Sequence, residues 1–343
     1  DAKEEVSVSD TIIRIGFDTI APTRAKVKSA SVVKTHKRTG EITIRFDGAI
    51  QSNRKGYYIY RATGTQPFKR IDSIFKQKPR NILFKDSLIN TKDAPVAYYV
   101  ESLDSCGNIS SPSDTHHTIY LQVDAQNGFN QLRWSTYIGW NDRNYIIQRT
   151  KAGANNWQRI AANDSGNRTY RDSTATCNET YNYRVLGRAA NSAQEAYSNT
   201  DTAQSYESNA PAAPVFGSAS VEKTGTDSGV ISLTWQQSIS TDVAKYRVER
   251  SLSNSNFQTI KNTKTNTYTD SGLNTYRQSY HYRIKAIDSC GNVSDSFTTI
   301  HQTLVLRTKG VNEANELDWT PYRGRFVRQY QILRDGQLII VVK

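Results

Sequence analysis

The side chains of this 343-residue chain that could carry out chemistry are a recurring Asp-Ser pair, five histidines and three cysteines. The pair occurs as Asp86-Ser87, Asp172-Ser173 and Asp270-Ser271, and a carboxylate beside a hydroxyl could help to activate a nucleophile. Each pair, however, comes at the end of a strand-like run that begins with an aromatic residue. Asp and Ser side chains commonly bond the local backbone where a strand gives way to a turn. We therefore interpret these pairs as turn residues.

The histidines show no metal-binding or catalytic spacing. They are His36, His116, His117, His281 and His301, and His116 and His301 occupy matching positions of a repeated segment, which favours a structural role. The chain contains no G-x-S-x-G elbow, P-loop, H-E-x-x-H or C-x-x-C motif. The sequence therefore predicts no catalytic residue, no metal and no cofactor, and we expect that the chain is not an enzyme.

The net charge of +12 is concentrated in one region. Residues 21–120 contain 17 Lys and Arg against 8 Asp and Glu. The densest runs make Lys76, Lys78, Arg80, Lys37 and Arg38 candidate contacts for a polyanion such as an acidic polysaccharide. The alternative is that these cations are solvated loop tips. No cluster of base-stacking aromatic residues lies beside them in sequence, so nucleic-acid binding is not predicted.

The chain repeats itself. Asp-Ser-Cys-Gly-Asn at residues 104–108 returns at residues 288–292, with Gly107 and Gly291 suited to the positive φ of a hairpin turn. The separation halves to about 92 residues, the size of a β-sandwich module. An array of modules is therefore predicted, rather than one enzyme fold.

A second pattern occurs four times. A Tyr-x-[Ile/Val]-x-Arg strand begins at Tyr57, Tyr145, Tyr246 and Tyr330, and its alternation predicts a strand with one buried face. About eleven residues earlier, each copy has a large aromatic residue at the end of another alternating run. These aromatic residues are Phe46, Trp134, Trp235 and Trp319.

These residues resemble the fibronectin type III fold, an immunoglobulin-like β-sandwich. The resemblance implies an all-β array in which Tyr181 and Tyr280 occupy the tyrosine-corner position, where the phenol bonds back to the preceding loop. The first copy departs from the pattern, with Val96 at the corner and Phe46 in place of Trp.

Four modules follow from these landmarks. Module 1 spans residues 21–118, module 2 residues 119–205 and module 3 residues 206–302, whereas residues 303–343 form the start of an incomplete module 4. Residues 1–20 would be the end of a preceding module or a linker. Proline-containing spacers precede modules 1 and 3 only, so modules 1 and 2, and likewise 3 and 4, are expected to form close-coupled pairs.

The cysteines fit this pairing. We predict a Cys106–Cys177 disulfide across the junction of modules 1 and 2, with a partner for Cys290 beyond Lys343. Three free thiols are the alternative. A disulfide would indicate an oxidising, extracytoplasmic compartment. No apolar run approaches the roughly 20 residues that a membrane-spanning helix needs.

Three patterns follow one another in each half of the chain: the Asp-Ser-Cys-Gly-Asn turn, a His-x-Thr-[Ile/Leu] segment at the module junction, and Trp-[Ser/Thr]-x-Tyr near the start of the next module. Together they resemble gliding-motility-associated surface proteins of bacteria. That resemblance implies export by the type 9 secretion system and a non-catalytic, outer-membrane-associated spacer or adhesion role. The implied partners are a protein or anionic polysaccharide at the cell surface, or an outer-membrane or secretion-system component. One alternative is an accessory module array of a secreted polysaccharide-degrading enzyme. An animal adhesion or receptor ectodomain is favoured less, because Arg-Gly-Asp and Trp-Ser-x-Trp-Ser motifs are absent.

Overall fold

A computed structural model describes residues 18–48, 50–75, 80–141, 143–164, 166–190 and 193–343. The described residues form 26 β-strands and no helix. The chain divides into two compact units, residues 1–205 and residues 206–343. The first unit contains modules 1 and 2, and the second contains modules 3 and 4. The fold is therefore all-β, with a close-coupled pair of fibronectin type III-like sandwiches in the first unit and one such sandwich followed by two hairpins in the second.

Module 1 is a sandwich of a three-stranded and a four-stranded antiparallel sheet. The orders are β1-β2-β5 and β4-β3-β6-β7. Its strands are β1 (Lys26–Lys34), β2 (Gly40–Asp47), β3 (Arg54–Thr63), β4 (Lys69–Phe75), β5 (Ile82–Ile89), β6 (Val96–Asp104) and β7 (His116–His117).

Module 2 repeats this arrangement with one addition. A three-stranded sheet of order β12-β9-β8 accompanies a sheet of order β11-β10-β13-β14, and a short strand β15 also pairs with β13. Its strands are β8 (Leu121–Gln126), β9 (Phe129–Trp134), β10 (Arg143–Lys151), β11 (Gln158–Asp164), β12 (Thr169–Asp172), β13 (Thr180–Ala189), β14 (Glu195–Tyr197) and β15 (Asp201–Gln204).

The second unit contains one full sandwich followed by two hairpins. Module 3 has the sheets β16-β17-β20 and β19-β18-β21-β22, whereas residues 303–343 form the hairpins β23-β24 and β25-β26. The strands are β16 (Val215–Lys223), β17 (Gly229–Gln236), β18 (Val243–Ser251), β19 (Gln258–Thr263), β20 (Thr267–Leu273), β21 (His281–Asp288), β22 (His301–Gln302), β23 (Leu306–Val311), β24 (Ala314–Trp319), β25 (Tyr330–Arg334) and β26 (Gln337–Val342).

The cores follow from the alternation of side chains along the strands. On β2, Ile42, Ile44 and Phe46 are fully buried, whereas Arg45 between them is exposed. In each module an aromatic residue of the second strand meets the tyrosine of the third strand edge-on, an arrangement that aromatic rings prefer. The ring centroids are 5.2 Å apart in Phe46–Tyr57, 5.7 Å in Trp134–Tyr145, 5.7 Å in Trp235–Tyr246 and 5.6 Å in Trp319–Tyr330.

Candidate functional site

The feature that distinguishes this array is the junction inside each unit. In the first unit, the two-residue strand β7 pairs with β6 of module 1, and the chain enters β8 of module 2 only four residues later. The backbone N–H of His117 donates to the carbonyl of Ile138, 3.1 Å away, so β7 also contacts the module that follows. One short strand of module 1 is therefore also paired, through a single bridge, with the loop that follows β9 in module 2.

A buried chain of hydrogen bonds fixes this junction. Tyr137, in the loop after β9, is fully buried. Its phenol oxygen accepts the backbone N–H of Ala30 on β1 at 2.9 Å, and its proton is directed at Nδ1 of His116, 2.8 Å away. His116 also bonds the backbone of Val27. The ring therefore bridges module 1 backbone to a module 2 side chain.

The electrostatics of this site require a neutral histidine. Burial, which disfavours the charged ring, lowers the pKa of His116 from 6.5 to about 4, and the nearby Asp114 offsets only part of that effect. Burial likewise raises the pKa of the Tyr137 phenol. Both groups are therefore uncharged at neutral pH, and the Tyr137 proton serves as a hydrogen-bond donor to the imidazole.

Two further hydrogen bonds widen the interface between modules 1 and 2. Trp140 stacks on Tyr137, with ring centroids 3.9 Å apart, and donates its indole N–H to the carbonyl of Lys28 at 2.7 Å. On β14, the N–H of Tyr197 donates to Oγ of Ser31 at 2.9 Å. These bonds tie module 2 to the backbone and side chains of β1.

The second unit repeats the junction. His301 on β22 lies with Nδ1 2.6 Å from the phenol oxygen of Tyr322, which accepts the N–H of Ala219 at 3.2 Å. The imidazole also stacks on Phe216 at 4.2 Å. Burial, helped by the positive charge of Arg325, lowers the pKa of His301 to about 4. We call each such arrangement of histidine, tyrosine and β-strand amide a junction lock.

A glycine makes room for each lock. Gly139 has φ +117° and Gly324 has φ +124°, a region that other residues rarely adopt. A Cβ on Gly139 would lie 2.4 Å from Cγ of His116, and one on Gly324 would lie 2.2 Å from Cδ2 of His301. The backbone therefore packs directly on the histidine ring.

The Asp-Ser pairs have a role that the sequence did not predict. In each complete module the aspartate is buried and accepts hydrogen bonds from a tyrosine of the sixth strand and an arginine of the third strand. The interpretation as turn residues is thus incomplete, because strand pairing brings these distant groups together. The triads are Arg61–Asp86–Tyr98, Arg149–Asp172–Tyr183 and Arg250–Asp270–Tyr282.

The triads have the geometry of structural ion pairs. Asp172 is fully buried, and its carboxylate lies 2.6 Å from the Arg149 guanidinium and 2.9 Å from the Tyr183 phenol oxygen. Burial together with the negative charge of Asp172 raises the pKa of Tyr183. Because the carboxylate is already bonded to Arg149, Tyr183 and Thr174, the group is suited to holding two sheets together rather than to activating a nucleophile.

The remaining aromatic candidates lie in the cores or at their edges. Trp134 and Trp235 are buried, and Trp319 is half-buried. The phenol oxygen of Tyr181 accepts the N–H of Thr176 at 3.3 Å, and that of Tyr280 accepts the N–H of Asn274 at 3.0 Å. Both phenols thus bond the loop that precedes their own strand.

The Asp-Ser-Cys-Gly-Asn turns hold the segment that enters each odd-numbered module. Asn108 donates to the carbonyl of Asp18 at 2.8 Å and to Asp104 at 2.9 Å. Asn292 makes the equivalent bonds to Glu207 and Asp288, each at 2.9 Å. The sequence suggested only a hairpin turn here, because the partner residues lie about 85 to 90 positions away.

One group among the described residues has metal-ligand spacing, namely Glu207, Asp288 and Cys290. Cys290 is disulfide-bonded, and both carboxylates accept hydrogen bonds from Asn292. Cys290 therefore has no thiolate to offer a metal ion, and the two carboxylates are bonded to the turn that Asn292 belongs to.

The predicted Cys106–Cys177 disulfide is wrong. Cys106 is an exposed, free thiol, whereas Cys177 and Cys290 are both disulfide-bonded. The partner expected for Cys290 beyond Lys343 is thus not required. A disulfide is still present, and disulfides are typical of exported proteins.

The error has a geometric cause. Strand β6 starts at the junction, where Val96 bonds Thr118, and runs away from it for nine residues, about 30 Å at roughly 3.3 Å per residue, before the turn with Cys106. In module 2 the junction lies beside β14, and Cys177 precedes the opposite end of β13. The two cysteines therefore lie at opposite outer ends of the pair.

The basic candidates that the structure describes lie in two different loops of module 1. Lys76 and Lys78 lie outside the described residues. Arg80 is exposed. Burial would raise the pKa of Asp47, but the hydrogen bonds from Lys28 and the Asn81 backbone lower it, with the smallest contribution from the charge of Arg80. Lys37 and Arg38 are exposed in the loop between β1 and β2.

No protein-family model matches the chain. It is 26% identical over 350 aligned residues to Exoglucanase B of Cellulomonas fimi, an alignment that covers 94% of this chain and 29% of that protein. The chain thus spans less than a third of the relative that it matches. Chicken CNTN1 FN1-FN3 domains are a structural match with 15% identity and a TM-score of 0.26, covering 82% of this chain and 97% of that one.

No described helix is long and apolar enough to cross a membrane.

Proposed function

We propose that this chain is a non-catalytic, extracellular spacer and interaction region whose working unit is a stiff pair of modules. The junction lock carries this proposal. It occurs in both units with the same residue types and the same 21-residue spacing between histidine and tyrosine. A flexible tether between sandwiches would need no buried side-chain bonds at its joints.

The physical argument concerns the freedom of the joint. Inter-domain motion is the default expectation unless the interface is well packed. Here Tyr137, Trp140 and His116 are buried between modules 1 and 2, and bending the joint would expose them and break their hydrogen bonds. Because each broken buried bond costs about 1–3 kcal/mol, large bending motions would be rare.

The stiffness can be measured in the full chain by double electron–electron resonance. Spin-labelled noncanonical residues would replace Lys69 and Arg133, exposed positions in modules 1 and 2. A single narrow distance distribution is expected, and Tyr137→Phe should broaden it. Tyr60→Phe, which removes a phenol hydroxyl away from the junction, is the matched control. A distribution that is already broad in the unmodified protein would refute the spacer proposal.

A second candidate is an accessory region of a secreted polysaccharide-degrading enzyme. The similarity to part of Exoglucanase B favours it, because the aligned region covers nearly all of this chain. The spacer mechanism would then set the distance between a catalytic domain and its other modules. Comparing insoluble-polysaccharide hydrolysis by the native full-length protein with that of a form lacking residues 18–205 would test this role. Equal rates would count against it.

For export, we propose the type 9 secretion route and display at the outer membrane. The support is the resemblance of the Asp-Ser-Cys-Gly-Asn turn and the His-x-Thr junction to gliding-motility-associated surface proteins. Fractionation of native cells, with and without a functional secretion system of this type, is the appropriate measurement. Equal surface display in both strains would exclude this route.

A further inference from the structure

The junction of modules 1 and 2 contains a cleft of about 520 Å³ whose rim is strongly basic. Module 1 contributes Lys37, Arg38 and Lys92, and module 2 contributes Thr200 and Thr202. We propose that this cleft binds an acidic polysaccharide through its carboxylate groups. The proposal deepens the interaction role proposed above by naming a ligand class, and it can fail while the spacer role stands.

The cleft is held in shape by bonds on both sides. The N–H of Thr200 donates to Oγ1 of Thr35 at 2.7 Å, which joins the module 2 wall to the end of β1. Thr91 accepts the N–H of His36 at 2.9 Å and donates to the carbonyl of Lys34 at 2.9 Å. The loop that presents the cations is therefore ordered by bonds that do not use their charged groups.

His36 adds a donor of defined orientation. Its Nδ1 accepts the backbone N–H groups of Arg38 at 3.0 Å and Thr39 at 2.9 Å. The proton of the neutral ring therefore resides on Nε2, the nitrogen on the other side of the ring. The rim thus combines this N–H with two ammonium groups and a guanidinium, and guanidinium groups bind carboxylates in a bidentate manner.

Module 3 provides an internal comparison. The loop between its first two strands has the same bonds: Thr275 donates to the carbonyl of Lys223 at 2.9 Å and accepts the N–H of Gly225 at 3.1 Å. At the positions equivalent to Lys37 and Arg38, however, this loop has Thr226 and Asp227. The two bonds that anchor this loop are thus formed without the cations, so the anchoring does not require them.

The charge balance of the cleft remains positive. Asp93 lies 3.9 Å from Lys37 and is also bonded to Asn90, so it offsets one of the three cations. Clefts lined by one sign of charge concentrate ions of the opposite sign. Among the lining residues the His36 imidazole is the one aromatic ring, and single-stranded nucleic acids are usually bound on several stacking rings. An acidic polysaccharide, with carboxylates and hydroxyls but no bases, fits this surface better.

The test uses the full chain and oligogalacturonate as the probe, with binding measured by isothermal titration calorimetry at low salt. The cleft variant carries the module 3 residues, His36→Gly, Lys37→Thr and Arg38→Asp. Removing these contacts should weaken binding about 10- to 100-fold, since each exposed charge pair contributes modestly. Added salt should weaken binding to the unmodified protein.

A matched control removes positive charge elsewhere on module 1. Lys55→Gln with Lys69→Gln changes cations outside the cleft and should alter binding less than about twofold, given the screening of distant charges. If the cleft variant unfolds at a lower temperature than the unmodified protein, Lys37→Gln with Arg38→Gln replaces it as the test.

Four results would overturn the proposal. The first is that oligogalacturonate does not bind the unmodified protein, and the second is that the cleft and control variants lose the same binding affinity. The third is that a neutral galactan binds as tightly as oligogalacturonate, and the fourth is that single-stranded oligothymidylate binds more tightly than oligogalacturonate. The last result would indicate a nucleic-acid site instead. Spin-label distances measured in the cleft variant separate this failure from failure of the spacer role.

Discussion

Replacing Tyr137 with phenylalanine removes one oxygen atom from the junction of the first unit and leaves the ring in place. The ring would keep its stacking on Trp140 at 3.9 Å. Two buried polar groups would lose their partner, namely the N–H of Ala30 at 2.9 Å and Nδ1 of His116 at 2.8 Å. At the lower end of the usual cost, about 1–2 kcal/mol for each unsatisfied buried group, the two groups together lower the free energy of opening the junction by roughly 2–4 kcal/mol.

Hydrogen exchange of the Ala30 amide measures this loss directly. Because a tenfold change in an equilibrium corresponds to about 1.4 kcal/mol, exchange at Ala30 should accelerate roughly 30- to 1000-fold in Tyr137→Phe. Amides in the centre of β3, such as Ile59, should change much less, because the core of module 1 is not altered.

Tyr322→Phe is the matched control, since it makes the same change in the second unit. It should accelerate exchange at Ala219, whose N–H donates to Tyr322, and leave Ala30 unchanged. Unchanged exchange at Ala30 in Tyr137→Phe would refute the lock, because the amide would then be protected by something other than this phenol.

Three further predictions concern pH, close packing and the buried ion pairs. The pKa of His116 is about 4 in the folded protein against 6.5 for an ordinary histidine, so the unfolded chain binds more protons between these two pH values. The contribution of a neutral His116 to the free energy of unfolding is therefore complete above about pH 6.5 and decreases towards pH 4, by up to about 3 kcal/mol. The urea midpoint of His116→Gln should accordingly depend less on pH than that of the unmodified protein. Gly139→Ala should destabilise the first unit by more than about 2 kcal/mol in urea unfolding, because the added Cβ would collide with His116. In Gly107→Ala the added Cβ meets nothing within 4 Å, so this control should cost only the roughly 1 kcal/mol of its positive φ. Equal losses in the two variants would contradict the packing argument. Asp172→Ala should lower the free energy of unfolding by about 3–5 kcal/mol, measured by thermal unfolding. Asp86→Ala should cost less, because its partner Arg61 is 30% exposed, whereas Arg149, the partner of Asp172, is 13% exposed. The reverse order would show that burial of the arginine does not control the cost.

The sequence predicted the fold because a thin sandwich displays its core in its periodicity. Each Tyr-x-[Ile/Val]-x-Arg strand places two apolar groups on one face, and the aromatic residue of the preceding strand supplies the ring that packs against them. Tyr57 and Ile59 are fully buried, as that pattern indicates. Repetition strengthened the prediction, since four copies of one alternation rarely arise by chance.

The sequence indicated the residues of the junction locks but not the contact between them. The matching positions of His116 and His301 indicated a structural role, and Tyr137 and Tyr322 were visible in the repeated Trp-[Ser/Thr]-x-Tyr start. Nothing in the sequence joined the two features, because their contact depends on how sharply the chain turns between β7 and β9. Gly139, whose positive φ permits close approach to the ring, was the one local signal of that turn.

The cysteine prediction failed for a related reason. Sequence positions place Cys106 and Cys177 in loops of adjacent modules, but they do not give the direction in which β6 and β13 run from the junction. The triad aspartates were missed similarly. The arginine, aspartate and tyrosine of each triad come from three strands, and only the packing of the two sheets brings them together.

The repeat also separates the positions that hold the fold from those that are free to differ. The lock residues, the triads and the Thr91 or Thr275 loop bonds occur in both units with nearly the same distances. The residues that the same loops expose differ in charge, with Lys37 and Arg38 in module 1 and Thr226 and Asp227 in module 3. Because the anchoring bonds do not involve these side chains, each module can present different charges on the same scaffold. The binding test with the module 3 residues grafted onto module 1 therefore asks whether the cations of this loop form a contact surface that module 3 lacks.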